Sequence, residues 1–229
     1  MEPVAIYHTN LKGKFGLPRQ GTVDSALQGQ IILEPEFRNP DALRGLTDFS
    51  HIWLIWEFSE VLEKRKGQPY KFQPTVRPPR LGGNRRMGVF ATRSPNRPNP
   101  IGISAVQLLG VDLNTPQGPV IRVAGCDLMD GTPILDIKPY IPYSDSIPDA
   151  AEGFTASLSD LTLQVIFPSE LLAKIPEANR DELKNILSHD PRPQYQDDPE
   201  RIYGLTYLNF NVRFRIFGGS LTVVEVTEL

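Results

Sequence analysis

Between Arg93 and Asn99 the chain reads Arg-Ser-Pro-Asn-Arg-Pro-Asn, and a third proline follows at Pro100. Pro95, Pro98 and Pro100 fix three φ angles and delete three backbone donors within six residues. A central sheet position is thereby excluded, and a stiff, partly polyproline loop is favoured. On that backbone Arg93, Ser94, Asn96, Arg97 and Asn99 present guanidinium forks and amides at defined places, as ordered loops that carry binding groups do. The plain alternative is a solvated turn with two arginines. A second set of chemically capable residues follows downstream. Period two over Ile134 to Tyr140 puts Asp136, Lys138 and Tyr140 on one face and Leu135 and Ile137 on the other. Left to themselves, Asp136 and Lys138 make an i,i+2 ion pair on a solvated face.

The elements around these groups are mostly strands. Val89 to Thr92 favour extended geometry ahead of the proline loop, and Gly102 releases the chain into a second strand, Ile103 to Leu109. Pro3 to Thr9, Gly29 to Phe37, and Val120 to Leu128 read as further strands, the last joined to its predecessor by the turn Asn114 to Pro119. Phe49 to Ser59 is aromatic and β-branched on both faces, as in a strand enclosed by packing. Trp53 and Trp56 within it read as core, and His51 as a hydrogen-bonded structural histidine. Asp41 to Leu46 reads as a helical turn capped by Asn39 or Asp41. Glu63 to Asn84, with four prolines, reads as a long irregular loop. Asp130-Gly131 reads as a tight turn. Beyond a small, polar, proline-containing stretch from Ser144 to Ser159 come a strand at Leu161 to Phe167 and two short helices interrupted near Pro176. Leu205 to Phe217 alternates, with Leu208, Phe210, Val212, Phe214 and Ile216 inward and Asn209, Asn211, Arg213 and Arg215 outward. That outward row is either a solvated sheet face or a surface for a polyanionic partner. Gly218-Gly219 has the form of a two-residue hairpin turn.

Charge is unevenly spread. The net charge is only −3, but from Lys64 to Val111 there is no Asp or Glu, and ten basic residues give that segment +10 against −13 elsewhere. A one-signed run of this length that ends in the proline loop favours a polyanionic partner, with Arg77, Arg80, Arg85 and Arg86 placed for phosphate contacts. Cys126 is the single cysteine, which excludes an internal disulfide and fits a buried thiol in a reducing compartment. No apolar run is long enough for a membrane span and no leader pattern opens the chain, so the expectation is a soluble, cytoplasmic protein. There is no strand-to-helix G-x-G-x-x-G, no G-K-[ST] loop and no Cys/His metal spacing, which disfavours a doubly wound sheet and a metal site.

The stretch GVFATRSPNRPNPIG, Gly88 to Gly102, closely resembles the signature of the TsaA-like (TrmO) family of tRNA methyltransferases. Asp127-Leu128-Met129-Asp130-Gly131-Thr132-Pro133, continued by Leu135 to Tyr140, is similar to that family's downstream motif. Asp190-Pro191-Arg192-Pro193 and Phe210-Asn211-Val212-Arg213 are similar to elements of its bacterial C-terminal extension. The resemblance implies S-adenosylmethionine as donor, tRNA as partner and substrate, and methylation of N6 of threonylcarbamoyladenosine beside the anticodon. It also implies a homodimer whose site is completed by a second chain. The donor pocket would hold Pro18, Arg19, Gln20, Ser59, Glu60, Arg93, Asp127, Leu128 and Met129. Asp136 would act as base or orienter with Lys138 and Tyr140 beside it, while Arg93, Asn96, Arg97 and Asn99 divide donor carboxylate, modified base and phosphate among them.

Pattern and resemblance together give a mostly β protein. An antiparallel β-barrel occupies residues 1–150, and a small α+β domain with a tRNA-binding or dimerisation role occupies residues 160–229. A non-catalytic RNA-binding module using the same basic segment is the second reading. An enzyme acting on a small anionic metabolite is the third.

Overall fold

The structure, a computed structural model, describes residues 1–11, 17, 27–67, 69, 71–78, 85–156, 162–192 and 198–229. Six strands close into an antiparallel barrel: β1 (Ala5–Thr9), β2 (Gln28–Leu33), β3 (His51–Glu57), β6 (Ile101–Asp112), β7 (Val120–Ala124) and β8 (Thr132–Pro139). Their order around the ring is β1-β2-β7-β6-β3-β8. A small two-stranded hairpin, β4 (Thr75–Val76) with β5 (Met87–Gly88), stands on the connection from β3 to β6. Helix α1 (Ser59–Arg65) opens that connection, and the four-residue turn of helix α2 (Pro142–Asp145) follows the barrel.

Alternation along the strands decides what fills the ring. In β3 Ile52, Leu54 and Trp56 are buried while His51, Trp53, Ile55 and Glu57 are partly exposed. Tyr7, Ile31, Leu54, Val106, Ile121, Val123 and Ile134 complete the packed interior. A small barrel of this kind has no lumen, so chemistry must take place at a mouth or on the outer wall.

The second sheet is ordered β10 (Tyr203–Tyr207), β11 (Phe210–Phe217), β12 (Ser220–Glu228), β9 (Gln164–Ile166), with only the β12–β9 pair parallel. Helices α3 (Ser169–Leu172) and α4 (Arg180–Ser188) accompany it. Leu183, Ile186 and Leu187 on α4 share one face by their i, i+3, i+4 spacing and are buried among Leu205, Val212, Phe214, Ile216 and Val223. Leu11 and Leu27, the two feet of the β1–β2 connection, are fully buried in this same cluster. Leu208 N–H donates to the Asn10 carbonyl at 2.9 Å.

Several expectations change in detail. Val89 to Thr92 is not a strand: Val89–Ala91 is one 3-10 turn, because Val89 N–H reaches the Pro74 carbonyl and Thr92 Oγ1 caps the Val89 carbonyl. The second strand stops at Leu33, where Pro35 begins a 3-10 turn. The third connection starts as helix, not loop, over Ser59–Arg65. Leu205 to Phe217 is two strands, since Leu208 takes φ +53° and turns the chain before Phe210. The Asn39 cap on the Pro40 turn holds, its side chain accepting from Asp41 N–H. Gly218 and Gly219 both have positive φ, +56° and +80°, and close the hairpin as a two-residue turn.

Candidate functional site

The pairing registers place Thr9, Gln28, Glu57, Ile101, Ala124 and Thr132 at one end of the barrel. Three connections leave this mouth: residues 10–27, 58–100 and 125–131. Arg93, Asn99, Ser59, Glu60, Asp127, Leu128 and Met129 all lie on the second and third of these. Pro18, Arg19 and Gln20, with Arg80, fall outside the described residues.

The proline loop is held by its own short hydrogen bonds and by α1. Arg97 N–H donates to the Pro95 carbonyl at 2.9 Å, and Ile101 N–H to the Asn99 carbonyl at 2.8 Å. Arg65, at the end of α1, donates to the carbonyls of Arg97 and Pro98 at 3.0 and 3.4 Å. Phe58 N–H donates to the Pro100 carbonyl. These contacts separate the two arginines. Arg97 is half-buried and turns back to the Thr92 carbonyl at 3.3 Å, a positioning contact. Arg93, Asn96 and Asn99 are exposed and carry the loop's outward chemistry.

The 125–131 loop is tethered from inside the barrel. Trp56 Nε1 donates to Ser104 Oγ at 3.0 Å, and Ser104 Oγ donates to Asp127 Oδ1 at 2.5 Å. Ser104 is 3 % exposed and Trp56 7 %, so this relay runs through the core before surfacing at half-buried Asp127. Asp130 accepts from Thr9 N–H at 3.0 Å and sits 3.3 Å from His8 Nδ1, fixing the loop's far end to β1. Leu128 is buried and Met129 partly so. Cys126 is fully buried, and burial pushes its thiol well above the ordinary thiol range, so it is no nucleophile. Ser104 and Trp56 escaped the sequence reading, which took Trp56 as packing alone. The available signal was a serine in phase with inward-facing Val106: a buried hydroxyl must have partners.

Asp136, Lys138 and Tyr140 do share one face, but it is the outer wall of the barrel, and the strand carries them away from this mouth. Asp136 pairs across from Ile55 and Lys138 from Trp53. Asp136 Oδ2 lies 2.9 Å from Lys138 Nζ, with both side chains about half exposed. Tyr140 packs on Trp53, centroids 5.5 Å apart, and its N–H donates to the His51 carbonyl at the opposite mouth. Trp53 Nε1 in turn donates to Asp145 Oδ2 at 2.8 Å. His51 is bonded to Ser50 Oγ at 2.9 Å, in keeping with a structural role. Among the described residues no His, Cys, Asp and Glu cluster is arranged to hold a metal ion, and no helix is long and apolar enough to cross a membrane.

Fold and mouth together define a closed antiparallel barrel whose candidate site is built on connecting loops and not on a doubly wound sheet. Comparison with known proteins makes this specific. Residues 6–146 match the model of the tRNA-methyltransferase O N-terminal domain, and residues 160–229 that of the TrmO C-terminal domain. The chain therefore belongs to the tRNA-methyltransferase O family. It is 37 % identical over 230 residues to the Escherichia coli tRNA (adenine(37)-N6)-methyltransferase, covering 97 % of this chain and 95 % of that one. A protein of the same name from Eikenella corrodens is 45 % identical over 179 residues, 78 % of this chain and 97 % of its own. A crystal structure of TrmO from P. aeruginosa superposes with TM-score 0.76 at 30 % identity, covering all of this chain and 96 % of that one.

Proposed function

We propose that this protein is an S-adenosylmethionine-dependent methyltransferase that modifies N6 of threonylcarbamoyladenosine beside a tRNA anticodon. The observation that carries the reading is the convergence at one barrel mouth of the proline-stiffened basic loop, the start of α1 and the tethered 125–131 loop. The near full-length relative from E. coli bears the name of the corresponding activity. The groups at the mouth fit the donor's chemistry: Arg93 suits a carboxylate, Glu60 and Asp127 suit an ammonium or ribose hydroxyls, and Leu128 and Met129 offer apolar cover. When bound, S-adenosylmethionine supplies an electrophilic methyl group on a sulfonium.

What the protein contributes is chiefly position, which in favourable cases supplies about 7–11 kcal/mol of rate enhancement. Arg65, Ser104 and Trp56 hold the two loops at fixed places. Arg93, Asn96 and Asn99 grip donor carboxylate, phosphate and modified base. The acceptor nitrogen is a weak nucleophile because its lone pair is drawn into ring and carbonyl, so a group that orients it or takes its proton accelerates transfer. Asp136 has this role, with Lys138 and Tyr140 beside it, and it acts in the site of a partner copy in a homodimer. Supporting this arrangement, the wall that bears Asp136 also bears Ile55 and the 52 % exposed Ile103, with Tyr143 and Ile147 exposed just beyond β8.

The test has two parts. Nucleoside mass spectrometry of tRNA from a deletion strain loses the methylated form of threonylcarbamoyladenosine, and an unchanged profile refutes the assignment. Arg93→Ala and Asp136→Ala each abolish most single-turnover methylation while folding is retained, and mixing the two inactive variants restores activity as hybrid dimers form. Full activity in both variants, or no recovery on mixing, removes the shared-site arrangement. A non-catalytic RNA-binding module would show tRNA affinity but no thermal stabilisation by S-adenosylmethionine, whereas a donor at 100 times its Kd stabilises the native state by about 2.7 kcal/mol.

A further inference from the structure

The basic hairpin carries two large apolar side chains that the barrel does not use. Phe72 and Phe90 are 49 % and 73 % exposed, and their rings stack on each other with centroids 6.3 Å apart and planes inclined by 27°. Phe90 stands on a fixed turn, in which its neighbour Val89 is the buried residue and has its N–H bonded to the Pro74 carbonyl. In the same stretch of chain Lys71, Arg77, Arg85, Arg86 and Arg93 are exposed as well, and from Lys64 to Val111 the sequence contains no carboxylate side chain. Arg86 donates to Thr75 Oγ1 at 3.3 Å across the hairpin. An exposed aromatic pair on a chain segment rich in cations and without carboxylates is complementary to an unpaired nucleotide, whose base has an apolar face and whose phosphates are anionic.

We infer that the Phe72–Phe90 pair is a stacking platform for an unpaired base of the RNA substrate, lying beside the nucleotide to be modified and gripped by the proline loop. At 6.3 Å the two rings leave no room for a base between them. The base therefore lies on the outer face of Phe90, with Phe72 bracing that ring from behind. The platform discriminates single-stranded from duplex RNA, because a paired base offers no free face. This inference rests on the tRNA reading above and adds to it a site that reads strandedness.

The test compares two probes of equal phosphate count, an RNA hairpin with a single-stranded loop and a blunt RNA duplex, by fluorescence anisotropy across a salt series. Phe90→Ala weakens hairpin binding roughly 5- to 150-fold, as expected for one lost base–aromatic stack, and leaves duplex binding unchanged. Phe90→Tyr, which keeps the ring, restores hairpin affinity. The log-log salt slope is the same for Phe90→Ala as for wild type, whereas Arg77→Ala lowers it by about one unit on both probes. Equal losses on both probes, no loss on either, or a change of oligomeric state in Phe90→Ala overturns the platform. If wild type methylates tRNA normally while Phe90→Ala binds the hairpin unchanged, only this inference falls. If wild type neither binds the hairpin nor methylates tRNA, the function itself is wrong.

Discussion

Replacing Ser104 by Ala removes the middle of the Trp56–Ser104–Asp127 relay without changing shape or adding bulk. The indole N–H of Trp56, on a side chain only 7 % exposed, then loses its partner at 3.0 Å. A buried orphaned donor costs about 1–3 kcal/mol. Asp127 loses a charge-assisted bond of 2.5 Å, but its half-exposed carboxylate recovers part of that from water, so its share is about 1 kcal/mol. The sum, about 2–4 kcal/mol, corresponds to a fall in Tm of roughly 4–16 °C for a chain of this size. Urea unfolding followed by tryptophan fluorescence measures the stability term. Calorimetric titration with S-adenosylmethionine measures the second consequence: Asp127 loses its tether to Ser104, so on the proposed reading donor affinity falls in Ser104→Ala but not in an equally destabilising core truncation such as Val106→Ala. A double-mutant cycle with Asp127→Asn isolates the link, and residues in direct contact show coupling of about 0.5–3 kcal/mol. An additive cycle, or unfolding and donor affinity both at wild-type values in Ser104→Ala, refutes the reasoning that this relay holds the loop.

Three further outcomes follow from neighbouring features. A Cβ on Gly102 would run into the Trp56 indole, so Gly102→Ala displaces the head of the relay, and urea unfolding finds the protein about 1–3 kcal/mol less stable. The Ile141 backbone N–H and then Trp53 Nε1 hold the Asp145 carboxyl below its ordinary value; a depressed folded pKa contributes stability above the unfolded value and loses it as pH falls. The stability gap between wild type and Asp145→Asn, read by urea unfolding, is therefore constant from neutrality to about pH 4 and closes in stronger acid. Cys126 is buried with its thiol pushed up, so a chromogenic thiol reagent leaves the native protein unlabelled and active, and labels one site only after unfolding.

Much of the fold was legible because strands declare their faces by period two and turns by their residues. Gly218-Gly219 and the Asn39–Pro40 cap reappear where the sequence put them, whereas the β3 run, read as enclosed on both faces with Trp53 in the core, alternates and leaves Trp53 partly exposed on the outer wall. The failures share a cause: local pattern could not see partners distant in the chain. Val89 to Thr92 has strand propensity, yet Val89 is taken by the Pro74 carbonyl and the run curls into a 3-10 turn. Leu208 continues the alternation of its neighbours in sequence, yet it occupies a positive-φ turn, tied to Asn10 on the first connection.

The same limit governs the site. Composition and proline spacing marked the 93–100 loop, but nothing in them separated Arg93 from Arg97. That division comes from the Thr92 carbonyl, which accepts from Arg97 and leaves Arg93 on the exposed side. Likewise, period two correctly put Asp136, Lys138 and Tyr140 on one face, but a strand has two faces and a barrel gives them opposite fates. A register shift that skips Leu135 resets the alternation, so Ile134 and Ile137 both turn inward against Trp56 and Leu54 although three residues apart, and Asp136 and Lys138, opposite Ile55 and Trp53, point outward. Ring closure, set by the pairing of β8 with β1, makes that assignment irreversible, because a one-residue slip would bury both charges unpaired by any inward partner. A carboxylate on the outside of a closed wall can serve the chemistry of the mouth only through something laid against that wall. That geometric necessity makes the mixing experiment with Arg93→Ala and Asp136→Ala the sharpest test of how the site is assembled.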